Sequence, residues 1–175
     1  MDAALAIYLD TPGMMEDKRH RGFVSDAAEF VRHCLRRMGI DPASVWMDYS
    51  VKCYPARKMP GKKQDRFDVI WACSEYRIAM LQSLPNLRSI VAMGALSNEV
   101  FTGSATIGAN AGAEWEPREQ WLRELIEHVW VSYSPGFVLE KPSESGAIFR
   151  VLWKAAEEAG LNPKSTKQPP FEYDI

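Results

Sequence analysis

Three stretches place side chains able to do chemistry at the ends of apolar runs. Asp10-Thr11-Pro12-Gly13 follows Ala4-Leu5-Ala6-Ile7-Tyr8-Leu9, which reads as a buried strand closed by a Pro-Gly turn. Val45 to Val51 reads as another strand, with Tyr49 near its end, and Val129 to Tyr133 as a further one, followed by the turn Ser134-Pro135-Gly136. A carboxylate such as Asp10 can position water or stabilise a developing cation. Taken alone, it better suits an ordinary strand-to-loop turn with a solvated acid.

Residues 52–66 form a basic, Pro-containing loop. Lys52, Arg57, Lys58, Lys62, Lys63 and Arg66 stand there against one acid, Asp65. Such a segment suits a phosphate backbone, or else a solvated, solubilising surface. Lys18, Arg19, His20 and Arg21 make a second basic run in Met14 to Gly22, which reads as a loop and divides between the same two roles.

The elements that must position these groups are legible from periodicity. Ala27, Phe30, Val31, Cys34, Leu35 and Met38 make one apolar stripe of a helix. Asp26 with Glu29 reads as its capping box, and Gly39 as its stop. Phe67, Ile70, Trp71, Ile78 and Leu81 mark a second helix; Ser89 to Met93 is a third strand closed by Gly94, with a short helix after it through Phe101. Thr102 to Ala113 reads as a loop, and Pro117 as the first turn of a helix bearing Trp121, Leu122, Leu125 and Ile126. A last helix runs from about Ser143 to Ala159.

Four strands separated by helices predict an α/β fold: three layers, α/β/α, around a four-stranded parallel sheet. Asp10, the Tyr49 region, Gly94 and Ser134 then all lie near carboxyl ends of strands, where open sheets bind ligands. Residues 1–160 are expected to form one domain and 161–175 a loose tail.

Of the 175 residues, 46% are hydrophobic and 25% charged, which suits a packed core rather than disorder. No apolar run approaches the ~20 residues that span a bilayer, and no secretory signal is visible at the N-terminus. Three cysteines without a CxxC pair point to a reducing compartment, so a cytoplasmic protein is expected; a monomer is expected as well. With a net charge of −2, any nucleic-acid surface must be local.

In order, the segments resemble the uracil-DNA glycosylase superfamily, closest to its thermostable iron–sulfur branch. The branch's G-E-A-P-G, E-D and P-F-V-G correspond to Leu9-Asp10-Thr11-Pro12-Gly13, Glu16-Asp17 and Gly22-Phe23-Val24-Ser25. Its G-I/L-D and T-N-x-V-K-C are similar to Gly39-Ile40-Asp41 and Asp48-Tyr49-Ser50-Val51-Lys52-Cys53. A basic loop and a helical cysteine, Cys73, follow; then Ile90 to Ser97 matches I-V-A-L-G-x-x-A. The closing H-P-S with a leucine looks like Ser134-Pro135-Gly136 with Leu139. The resemblance spans roughly residues 4–159.

It implies a DNA glycosylase that flips its nucleotide from duplex or single-stranded DNA. Asp10 stands at the catalytic-acid position, Phe23 at the base-stacking position (or in the core), and Thr11 and Tyr49 beside the base. Three departures qualify that. Asp10 is a shorter carboxylate. Tyr49 replaces an asparagine that offers a donor and an acceptor to uracil's edge. Ser134 replaces the histidine that supports the leaving base. Only Cys53 and Cys73 match cluster ligands, so no metal and no cofactor are expected.

Phe137 and Leu139 suit a duplex wedge or plain loop packing. Ser143 and Ser145 suit phosphate binding at a helix start or plain capping. Three functions are therefore carried forward. The first is a glycosylase for a modified pyrimidine, as in phage defence, or for uracil in base-excision repair. The second is a non-catalytic DNA- or protein-binding module. The third is an enzyme acting on free nucleotides.

Overall fold

The computed structural model describes residues 2–53 and 63–164, without the side chains of residues 63–65. The strands are β1 (Leu5–Leu9), β2 (Trp46–Tyr49), β3 (Ser89–Met93), β4 (Glu114–Trp115) and β5 (Val129–Ser132). The helices are α1 (Met14–Arg19), α2 (Asp26–Arg37), α3 (Lys63–Ala72), α4 (Ser74–Gln82), α5 (Ala95–Thr102), α6 (Ile107–Asn110), α7 (Gln120–Arg123), α8 (Pro135–Glu140) and α9 (Ser145–Glu158). The expected three-layer α/β fold stands, with one correction: the sheet has five strands, ordered β2-β1-β3-β5-β4. The added strand β4 runs antiparallel to β5 at the edge. It is two residues long and exposed on both, so it leaves no alternating pattern to read.

Every residue of β1 and β3 is buried, because helices cover both faces of the sheet. Leu5, Ile7 and Leu9 point to one face, where Phe30, Val31, Cys34 and Leu35 of α2 meet Ile148, Val151 and Leu152 of α9. Ala6 and Tyr8 point to the other, against Leu81, Val100, Phe101 and Leu122. The two cores thus repeat the strand's period of two.

Several local expectations change. Met14–Arg19 is helical rather than loop. The N-cap of α2 is Ser25, and Glu29 instead pairs with Arg32 and Arg36. The expected second helix is two, α3 and α4, broken at Cys73. Phe67 and Trp71 are exposed, while Ile70 and Leu81 are buried. Pro117 is buried three residues ahead of α7, whose neighbour Leu125 is exposed. Among the described residues, no helix is long and apolar enough to cross a membrane.

Candidate active site at the strand ends

Strand register sets the site. Leu9 pairs with Tyr49 on one side and Met93 on the other, and Met93 pairs with Ser132. The carboxyl ends of β2, β1, β3 and β5 therefore stand in one row, at spacings of about 4.8 Å. The backbone stitches the row beyond the strands: Val51 N–H donates to the Asp10 carbonyl at 3.0 Å and Gly94 N–H to the Ser132 carbonyl at 2.9 Å.

Asp10 points into this row. Its Oδ1 accepts the Ser97 N–H at 2.8 Å, at the first turn of α5. Gly94 has φ +108°, and a methyl group there would overlap the Asp10 carboxylate. The carboxylate thus lies directly on the β3–α5 turn, a place only glycine leaves open. Burial pushes the Asp10 pKa above the ordinary aspartate range, while the Ser97 and Leu96 amides and the Ser97 hydroxyl pull it back in part. The Ser97 hydroxyl also bonds to that of Ser50, 2.8 Å away beyond β2. Thr11, half-buried, follows Asp10.

Phe23 and Tyr49 form a second cluster, at the end of β2, and Asp10 is not among the residues that line the cavity beside it. Their rings stack with centroids 4.4 Å apart and planes 6° apart. Tyr49 Oη accepts the Phe23 N–H at 3.0 Å, and Arg32 Nη2 donates to the Phe23 carbonyl at 2.8 Å. These two bonds hold Phe23 at φ +60°, a conformation that costs an aromatic residue energy. Burial raises the Tyr49 phenol to about 12, so it stays neutral. A cavity of about 480 Å³ opens beside the pair, walled also by Pro12, His20, Arg21 and Lys52.

Glu16 belongs to a sequence motif that gives no hint of its structural role. Its carboxylate accepts N–H groups from Gly13 (3.1 Å), Val24 (3.2 Å) and Ser25 (2.9 Å), latching the 13–25 segment shut. Burial alone would raise its pKa; the Ser25 hydroxyl and the backbone amides outweigh that and hold it low.

Ser134 caps α8: its Oγ accepts the Phe137 N–H at 3.2 Å. The expected turn is thus a helix start, and the hydroxyl proton remains available to donate. Phe137 packs on Tyr133 at 5.1 Å and Leu139 is half-buried on α8. Ser143 is exposed in the 3-10 turn Pro142–Glu144; α9 begins two residues later than expected, with Glu144 as N-cap. Lys52 is ion-paired with Asp48. Arg57, Lys58, Lys62 and the Lys63 side chain lie outside the described residues, as do residues 165–175 of the expected tail.

The cysteines do not suit an iron–sulfur cluster. Cys34 sits in the core on the α2 face, Cys73 in the core on the opposite face, and Cys53 is exposed. Cys73 Sγ accepts the Lys52 N–H at 3.5 Å. A cluster needs about four thiolates around one centre; the chain has three cysteines, and the sheet separates Cys34 from Cys73.

A family model for the uracil DNA glycosylase superfamily matches residues 3–157. The chain belongs to the uracil-DNA glycosylase superfamily. Membership places it with DNA glycosylases, hydrolases of base excision, and makes DNA the substrate class. The matched span contains both Asp10 and the Phe23–Tyr49 pair.

Proposed function

We propose that the protein is a DNA glycosylase that hydrolyses the N-glycosidic bond of a flipped, modified pyrimidine. The observation that carries this is the half-buried Asp10 carboxylate, held by the Ser97 amide at the row of strand ends. In the reaction the C1′–N bond breaks, the sugar becomes cation-like, and water supplies the new C1′–O bond. Asp10 stabilises the cation or orients the water. The Ser134 hydroxyl donates to the departing base. A neutral hydroxyl does this less well than an imidazolium, which favours a base that leaves easily.

Tyr49 selects against plain uracil. A phenol cannot present a donor and an acceptor side by side, and its oxygen already receives the Phe23 N–H. Modified pyrimidines of phage DNA, with the enzyme acting in antiviral defence, are the substrates this reading selects. Thr11 lines the base, the basic segment with Arg57, Lys58, Lys62 and Lys63 contacts the backbone, Leu139 meets the duplex and Ser143 a phosphate. The enzyme works as a cytoplasmic monomer.

The test is base release from duplexes carrying uracil, 5-hydroxymethylated or glucosylated pyrimidines, by wild type and Asp10→Asn. Release of a modified base by wild type alone supports the reading, and preference for uracil ends it. The closed Phe23–Tyr49 pair favours a second reading, a DNA-binding module without catalysis. That reading expects tight DNA binding and no base release from any duplex.

A further inference from the structure

We infer that the protein holds an anion site, suited to a phosphate group, in the cavity between the end of β5 and α9. This cavity measures about 290 Å³, and its wall includes Ser132, Tyr133, Glu144, Arg150 and Lys154. Ser132 is 1% exposed, and its hydroxyl has no hydrogen-bond partner. Buried hydroxyls are almost always bonded, so an orphan in a cavity wall marks a place where something else supplies the bond.

Arg150 and Lys154 are four residues apart on α9 and so share a face. No carboxylate of the described residues pairs with either. Arg150 lies over Gly146, and the Lys154 ammonium sits 5.4 Å from the centre of the Trp130 ring. Glu144 is the one carboxylate in this wall, and Lys154 also borders the adjoining cavity that holds Glu114, Glu127, Glu157 and Glu158, so Arg150 is the cation that belongs to this cavity alone. A guanidinium offers phosphate a planar fork of donors, and an ammonium adds a point charge. The space exceeds a bare phosphate and admits an attached sugar.

That chemistry has two sources: a backbone phosphate of DNA, or a free phosphate monoester such as a mononucleotide. Tyr133 lines the cavity and directly precedes Ser134, so a strand lying across the β5 end would reach both places.

The full chain is titrated with inorganic phosphate, and separately with duplex DNA between about 50 and 200 mM salt. Wild type is compared with Ser132→Ala and with Arg150→Gln/Lys154→Gln. Both cations are exposed, so the double variant should keep its melting temperature. For a backbone phosphate, its log K against log salt slope for DNA falls by about 0.9 for each phosphate no longer neutralised. For a free ester, the slope stays put and inorganic phosphate binding weakens at least tenfold. In either case Ser132→Ala weakens phosphate binding without lowering the melting temperature. Wild type that ignores millimolar phosphate, with DNA slopes equal in all variants, overturns the site. Neither readout uses base release, so the outcome is independent of whether the protein is a glycosylase.

Discussion

Tyr49 lies flat on Phe23, ring on ring, with centroids 4.4 Å apart. A base held between two rings needs them about 7 Å apart, twice the 3.4 Å rise of stacked bases. No base fits between this pair as it stands. Tyr49 therefore either excludes a base from that face of Phe23 or swings away to admit one.

Exchanging Tyr49 separates the contributions. Tyr49→Phe keeps the stack and removes the acceptor of the Phe23 N–H, so stability should fall by about 1 kcal/mol in chemical denaturation. Tyr49→Asn uncovers Phe23 and supplies an amide. Its release of uracil from DNA should exceed that of wild type at least tenfold. An unchanged uracil rate would mean that something other than Tyr49 rejects that base.

Asp10 ties activity to stability through pH. Its folded pKa is raised by burial. The carboxyl's contribution to stability is therefore complete below its unfolded value and is lost as pH rises through the folded one. Asp10→Asn cannot ionise, so its melting temperature should gain on that of wild type across this window and hold the gain above it. Base release should fall by at least 10²-fold in the same variant. The acid limb of the wild-type rate profile should lie above the ordinary aspartate range, because the ionised carboxylate does the work.

How far the sequence foretells this arrangement depends on the range of each interaction. The stripe from Phe30 to Met38 and the apolar runs of β1 and β3 declare themselves, since local period and burial coincide there. The row of strand ends follows from parallel topology, so Asp10, Tyr49 and Gly94 could be grouped in advance. Sequence is silent where the partner is distant. The Ser97 amide on Asp10 and the Tyr49 hydroxyl on the Phe23 amide span 87 and 26 residues. Glu16 acts on three amides of its own loop, but a basic neighbourhood with little apolar periodicity disguises both helix and latch. Phe67 and Trp71 mimic core residues because their spacing is helical, yet α3 buries Ile70 and leaves both of them exposed.

The Glu16 latch should respond to acid in the opposite sense to Asp10. Its folded pKa is lowered. Its stabilisation is present above the unfolded value and is lost as pH falls through the folded one. Glu16→Gln removes a charged acceptor of three amides and should cost about 1.5–3 kcal/mol at neutral pH. That penalty should shrink on acidification as the wild-type carboxyl takes up its proton. Hydrogen exchange should locate the loss at Gly13, Val24 and Ser25, whose amides the carboxylate holds. A penalty independent of pH would show that packing, not charge, closes the loop.

Gly94 and Asp10 should be energetically coupled, because the carboxylate occupies the space where a Cβ would stand. Gly94→Ala suffers twice: from φ +108° and from overlap with Asp10. The backbone strain alone costs of order 1–3 kcal/mol. Asp10→Ala removes the overlap and leaves the strain. The double variant should therefore lose less stability than the two single losses added together, by about 0.5–3 kcal/mol, the range for touching residues. Additive losses would place the carboxylate away from Gly94 in solution, and with it the acid that the proposed chemistry requires at the strand ends.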